Sequence, residues 1–297
     1  MLSSHGKQLV VGAFLPPGQR EALAAIREEA LSYYDRQPYG DEQEGASSVV
    51  TSEFADVIAA LRSSYRCVAV DHLGFGQSDK PEAADYSMSA HRERLQQVLT
   101  RLNVQRYHLL VHDFGGAIAL QMAIAHPGRV LSLTLMNTWL WPLQETEPSL
   151  RRQRWLMQSS LMTYLYRHWN MSPRVLVKAA WGTHRPLTPE KHAQYTQAFR
   201  SAPERSATIA CLHTLFDERE PAWSAWQRLG VLAHVPTSIV WGTADVISTS
   251  TLDRWSQLLP HAQVVRCERV GHFVSDEAPE LVVAALEPFL REAGGGV

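Results

Sequence analysis

Three residues with proton-sharing side chains stand just past short apolar runs: Asp113, Asp245 and His272. Asp113 follows Leu109-Leu110-Val111-His112 and precedes Phe114-Gly115-Gly116. A strand that turns sharply into a helix at small residues throws one side chain out over a sheet, and this pattern predicts such a turn. Gly115 is expected to be required because a Cβ two positions beyond Asp113 would collide across the turn. The projecting residue is a carboxylate, not Ser or Cys. The competing reading is that Asp113 only N-caps a helix starting at Phe114. Asp245 follows Gly242-Thr243-Ala244, and His272 sits in Val270-Gly271-His272-Phe273. Each follows an apolar run, so the three can meet if those runs are neighbouring parallel strands.

The chemistry of such a trio is narrow. A carboxylate attacks amides and esters poorly, because it is readily expelled again. It can displace a leaving group from a saturated carbon in line, which leaves an alkyl ester on the protein. Water activated by His272 then attacks the Asp113 carbonyl, while Asp245 holds the imidazole tautomer and supports its charged form. The backbone N–H of Phe114 is placed to donate to the resulting oxyanion, with a second donor expected from the loop after an early strand. No metal or organic cofactor is needed. The His spacing offers no zinc site, and no phosphate-binding glycine loop is present.

The elements that must position these residues alternate. Cys67 to Val70, Tyr107 to Val111, Val130 to Met136, Ser238 to Trp241 and Val264 to Cys267 read as strands. Residues 88–103 carry Leu95, Val98, Leu99 and Leu102 at helical spacing, and Ala117 to Ala125 reads as the next helix. A last helix starts at Pro279 and buries Val282, Leu286, Phe289 and Leu290. This order predicts a mostly parallel, doubly wound α/β sheet. The alternation stops from about Trp141 to Trp226, where the signals are helical. Residues 151–168 read as basic outside, with Trp, Leu, Met and Tyr inside, and Thr188-Pro189-Glu190 reads as an N-cap with Pro at N1. The expected division is a core of 1–141 and 227–297 and a helical cap of 142–226, lying over the carboxyl ends of the strands. Residues 1–50 fit poorly: Glu21 to Leu31 reads as a helix, Tyr39 to Ser48 as turn, and Ser48-Val49-Val50 as the one strand before the sheet proper.

The 28 Lys and Arg against 30 Asp and Glu give a formal charge of −2, a balance that argues against a chain built to grip nucleic acid or anionic lipid. The 45% hydrophobic and 20% charged residues exclude disorder. Cys67, Cys211 and Cys267 are too few for a disulfide framework and read as free thiols in a reducing compartment. The run Leu9 to Leu15 is too short to span a bilayer and lacks a cleavage site, so the expectation is a cytoplasmic monomer or weak dimer without membrane or nucleic-acid partners.

The stretch Asp71-His72-Leu73-Gly74-Phe75-Gly76-Gln77-Ser78-Asp79-Lys80-Pro81, the Asp113 turn and Val270-Gly271-His272-Phe273 together resemble the haloalkane dehalogenase family of α/β-hydrolases. The likeness runs from about Ala55 to the C-terminus. It implies the α/β-hydrolase fold with an inserted helical cap, and the chain order of Asp113, Asp245 and His272 matches that fold's nucleophile–acid–His order. Val111 favours dehalogenases over epoxide hydrolases, which usually carry Gly there. Asn137 is similar to dehalogenases whose acid stands later, at the position of Asp245. The activity implied is cleavage of a carbon–halogen bond in a small apolar substrate by water.

Two departures stand out. The family places an indole N–H for the halide directly after the nucleophile, where this chain has Phe114, which carries no side-chain donor. Trp139 is the substitute near the end of a strand, with Trp155, Trp169 and Trp181 as further candidates. The family's His-Gly-x-Pro loop is also missing: counting back from Tyr65-Arg66 gives Gly45-Ala46-Ser47-Ser48. Either the loop or its strand is lost or rebuilt from residues 1–44, and one missing oxyanion donor slows catalysis by about 10²–10³. Three alternatives stay open: epoxide opening assisted by Tyr164, Tyr166 or Tyr195, processing of β-lactones with loss of carbon dioxide, and a hydrolase-like scaffold without activity.

Overall fold

The computed structural model describes residues 8–11, 53–76, 78–217, 219–247 and 249–294. Six strands form one sheet: β1 (Gln8–Val11), β2 (Arg66–Val68), β3 (Tyr107–His112), β4 (Val130–Met136), β5 (Thr237–Gly242) and β6 (Gln263–Cys267). Their order across the sheet is β2-β1-β3-β4-β5-β6, and every pairing is parallel. Parallel strands need covered crossovers, and the sheet is covered on both faces. Alternate residues go to opposite sides. Leu109 and Val111 of β3 join a core with α2 (Met88–Arg101) and α3 (Asp113–Ala125), while Leu110 joins a second core with α1 (Ala55–Leu61) and the last helix (Pro279–Gly294). Val282, Leu286, Phe289 and Leu290 line that last helix on the second core, as their spacing predicts. Leu110 is 1% exposed, and cutting such a side chain back to Ala costs about 2–5 kcal/mol.

One strand departs from expectation. The stretch Ser48-Val49-Val50, the expected early strand, lies outside the described residues, as do the helix expected at Glu21 to Leu31 and the turn at Tyr39 to Ser48. The sheet position between β2 and β3 is filled by Gln8–Val11, with Leu9 opposite both Cys67 and His108. The early strand thus comes from far upstream, inside the short apolar run at Leu9.

Between β4 and β5 the described residues form helices and no strand. They are α4 (Pro148–Met157), α5 (Ser160–Trp169), α6 (Val177–Ala180), α7 (Pro189–Gln197) and α8 (Ser206–Phe216), followed by a 3-10 segment at Pro221–Leu232. Thr188 caps α7, its hydroxyl accepting the Lys191 N–H at 3.2 Å, with Pro189 in the first turn. The inner faces of α4 and α5 pack against α8 through Leu150, Met157, Met162 and Tyr166. The expectation for 151–168 holds only in part. Trp155, Leu161, Tyr164 and Trp169 lie outside, at 76%, 60%, 56% and 65% exposure. The apolar residues exceed what one helix face can bury, and α8 covers only the stripe carrying Met162 and Tyr166.

Candidate active site

The site begins where β3 ends. Asp113 opens α3 with φ at +48°. The left-handed region disfavours a residue with a Cβ, and Asp is among the side chains that tolerate it best. Strain held at one residue directs attention to what it aims. The turn closes through Thr138, whose hydroxyl donates to the Asp113 carbonyl at 2.7 Å. The glycine this requires is not the expected one. A Cβ on Gly115 would meet nothing within 4 Å among the described residues, whereas one on Gly116 would lie 2.0 Å from the Thr138 Oγ1. Close approach of the helix to β4 sets the requirement, not crossing of the turn.

The other two residues arrive as their strand ends predict. His272 Nε2 lies 3.4 Å from Asp113 Oδ1, and His272 Nδ1 lies 2.9 Å from Asp245 Oδ2. Asn137 holds the second carboxylate. Its Nδ2 donates to Asp245 Oδ2 at 2.6 Å and to the Gly242 carbonyl at 3.1 Å, and its Oδ1 accepts the Gly242 N–H at 2.9 Å. The Asp245 side chain is wholly buried, while that of Asp113 keeps 41% of its surface. Surrounding protein nonetheless desolvates the Asp113 carboxyl.

The charges are coupled. Burial opposes the charged form of His272, but the Asp245 and Asp113 carboxylates lift its pKa well above the ordinary value of 6.5. Burial likewise pushes the Asp113 carboxyl up, and is outweighed by His272, His112 and the Phe114 backbone N–H, which together draw it below the ordinary carboxylate value. That N–H is thus close enough to act on the Asp113 oxygens. Burial raises the Cys211 thiol of α8 to about 12, with the Asp113 charge adding to it. The Asp71-to-Pro81 loop meets α8 as well, where Leu73 packs in a cluster with Ala207.

Two residues that sequence reasoning missed stand behind the imidazole. His112 Nδ1 lies 2.7 Å from Glu53 Oε1, and His112 Nε2 lies 2.9 Å from the His272 carbonyl oxygen. Ser275 also donates to Glu53 Oε1, at 3.1 Å. The His112 and His272 rings are 4.5 Å apart. Both nitrogens of His112 face acceptors, and a neutral imidazole has only one N–H. The available signal was a histidine at the end of β3, directly before Asp113.

The side of Asp113 away from His272 is different. Phe114 packs edge-on against Trp139, ring centres 5.2 Å apart. Trp139 is 2% exposed and its indole N–H has no hydrogen-bond partner among the described residues. Trp155 and Trp169 face outward, and the Trp181 N–H is taken by the Arg185 carbonyl at 2.7 Å. Of the tyrosines, Tyr164 faces outward, Tyr166 packs with Leu212 and Phe216, and Tyr195 donates to Asp276 at 2.5 Å.

The segment around α6 and α7 is tied to the His272 loop. The His272 N–H donates to the Ala180 carbonyl at 2.8 Å, and the Glu277 carboxylate accepts from the N–H groups of Gly182, His184 and Gly271. Asp276 is paired with Lys191 and Tyr195, and burial still pushes its carboxyl up to about 6.

The sequence pattern of the alpha/beta hydrolase fold matches residues 44–279. The chain belongs to that family. Among curated proteins, this α/β-hydrolase is 29% identical over 251 residues to the cis-3-alkyl-4-alkyloxetan-2-one decarboxylase of Shewanella oneidensis, covering 80% of this chain and 78% of that one. It is 29% identical over 237 residues to haloalkane dehalogenase 2 of Mycobacterium bovis, covering 78% and 81%. Among solved structures, the haloalkane dehalogenase DbeA from Bradyrhizobium elkani superposes with a TM-score of 0.75 at 18% identity, covering 88% of this chain and 94% of the other. That likeness bears on the fold alone, and it agrees with the expected parallel sheet carrying helices.

Proposed function

We propose that this hydrolase-family protein cleaves carbon–halogen bonds of small haloalkanes through a covalent ester on Asp113. The observation that carries the reading is the line Asp113–His272–Asp245, with 3.4 Å and 2.9 Å between successive partners. In the first step an Asp113 oxygen attacks the carbon bearing the halogen, the C–O bond forms and the halide leaves with the bonding pair. Esterification removes the Asp113 charge, one of the two that hold the proton on His272. The imidazole is then free to lose that proton and act as base on water. Hydroxide attacks the Asp113 carbonyl, the Phe114 N–H supports the oxyanion, and the alcohol is released. The net change is R–X plus water giving R–OH, X⁻ and a proton. Asp245, fixed by Asn137, holds the Nδ1–H tautomer. The Trp139 N–H, which has no acceptor among the described residues, is the donor we assign to the halide. The helices of 142–226 act as the cap that shelters the reaction.

The test is intact-protein mass after incubation of His272→Phe with 1-bromobutane. A gain equal to one butyl group, absent in Asp113→Asn, supports the reading. Failure of the native chain to release bromide, with no adduct in the variant, rejects it.

A second reading has its own support. Phe114 supplies no halide donor, and one curated relative is an oxetanone decarboxylase. On a β-lactone the same attack would break the ring C–O bond, and the freed carboxylate would leave as carbon dioxide while Asp113 departs and a C=C bond forms. Olefin release without water consumption separates this route from halide displacement.

A further inference from the structure

The chain-wide charge of −2 is a sum that hides a strong segregation. Between Glu147 and Glu190 there is no acidic residue and there are seven Lys or Arg, so the remaining 21 cations share the rest of the chain with all 30 carboxylates. The same stretch holds six of the nine exposed large apolar residues among the described residues: Trp155, Leu161, Tyr164, Trp169, Val175 and Leu176. The other three are isolated valines at 231, 246 and 264, the ordinary scatter of a protein surface.

The two features share helix faces. On α4, Arg151 and Arg152 stand one turn before Trp155. On α5, Leu161, Tyr164 and His168 recur at i, i+3 and i+7, and the Tyr164 and His168 rings lie 4.5 Å apart. The opposite faces of both helices pack on α8, so these stripes point away from it. α8 in turn packs through Ala207 with Leu73 of the Asp71-to-Pro81 loop. The outward face of α4 and α5 is therefore the outer side of the helical segment between β4 and β5. Arg151, Arg152, Arg174 and Lys178 have no carboxylate partner among the described residues.

We propose that this basic, aromatic-rich face of α4 and α5 docks the protein on the surface of an anionic lipid bilayer. Trp and Tyr settle at the level of lipid headgroups, Leu and Val reach the acyl boundary, and Arg and Lys meet the anionic phosphates. Such docking is peripheral. No helix among the described residues is long and apolar enough to cross a membrane, and the docking requires none. Aliphatic side chains distinguish lipid from nucleic acid, because base stacking uses flat rings and gains little from Leu161 or Val175. The positive charge distinguishes lipid from a second copy of the chain, because two such faces repel each other. Docking would set this helical segment against the phase in which apolar substrates dissolve, and it stands whichever substrate Asp113 attacks.

The experiment is co-sedimentation of the full chain with vesicles of phosphatidylcholine mixed with phosphatidylglycerol in about equal parts, against pure phosphatidylcholine. The expected result is binding to the mixed vesicles only, lost as salt rises to about 0.5 M. Arg151→Ala/Arg152→Ala should weaken the partition by about tenfold or more, and Trp155→Ser/Leu161→Ser should weaken it at unchanged charge. All four side chains are on the surface, so circular dichroism of the variants should match that of the parent. Binding equal for both vesicle types, or unchanged in both double variants, overturns the proposal. So does a dimer in sedimentation velocity that Trp155→Ser dissociates, if vesicles are ignored. Binding of single-stranded RNA with no binding of vesicles overturns it as well.

Discussion

The two sides of the Asp113 carboxyl are built to different standards. On the His272 side, Asn137 bonds Asp245 and both backbone groups of Gly242, while His112, Glu53 and Ser275 form a chain that ends on the His272 carbonyl. Each ring nitrogen of His272 has an assigned partner. On the opposite side stand a phenyl ring and one indole N–H with no partner among the described residues. In the proposed reaction, proton transfer demands a fixed tautomer and a fixed distance, which the over-determined His272 side supplies. The leaving-group side of that reaction needs only room and a donor, and one site can accept more than one leaving group there. The difference teaches that, under this reading, water activation is tightly built while substrate choice rests on few contacts.

The sharpest way to break the contrast is to remove its ends. Asp113→Asn should lower turnover by about 10⁴ or more, since the bond-forming atom is lost. His272→Phe should lower steady turnover as far and yet keep one equivalent of adduct. Asp245→Asn should cost about 10³–10⁴ in kcat, through the wrong tautomer and a donor–donor clash with the Asn137 amide. Asn137→Leu frees the Asp245 carboxylate and should cost about 10–10² in kcat with KM little changed. Steady-state bromide release measures all four. Equal losses for Asn137→Leu and Asp113→Asn would mean that Asn137 does more than hold its neighbour.

What was legible in the sequence follows the same division. Asp113, Asp245 and His272 were found because each follows its own strand, so local patterns located them one at a time. Thr188 and Pro279 were found for the same reason. Asn137 was reached only by resemblance, since its partners lie more than a hundred residues away. Glu53 and His112 were missed because their bond joins the start of α1 to the end of β3, and no local pattern announces it. β1 was missed because Gln8–Val11 joins the sheet between β2 and β3 from far upstream. Trp155 and Tyr164 were placed inside on the premise that large apolar residues are buried, a premise that fails where a helix has only one neighbour to pack on.

The pH dependence sharpens the base side. His272 is held above its ordinary value by Asp245 and Asp113 against burial, so its neutral form gains population as pH rises. Loss of the Asp113 charge on esterification lowers that barrier without abolishing it. Ester hydrolysis should therefore accelerate as pH rises, while alkylation stays flat because the Asp113 carboxyl is held ionised. Rapid quench at several pH values separates the two steps, and a flat hydrolysis step contradicts a base role for His272. Glu53→Gln is the milder probe. It removes the anion facing His112 and loosens the His272 loop, for an expected loss of about tenfold in kcat with KM unchanged.

The smallest effect is expected on the other side. A hydrogen bond to a departing anion is worth about 1.5–3 kcal/mol when fully formed, and here one indole must supply it alone. Trp139→Phe keeps the ring against Phe114 and removes only the N–H, so bromide displacement should slow by about tenfold while the ring packing is retained. A β-lactone carries its leaving group on a tether and needs that donor less, so its turnover should hardly change. The reciprocal variant, Phe114→Trp, adds a donor directly after Asp113 and should raise bromide release without helping the lactone. If Trp139→Phe leaves bromide release intact and Phe114→Trp does not raise it, the side facing away from His272 handles no halide, and the weight moves to the lactone route through the same carboxylate.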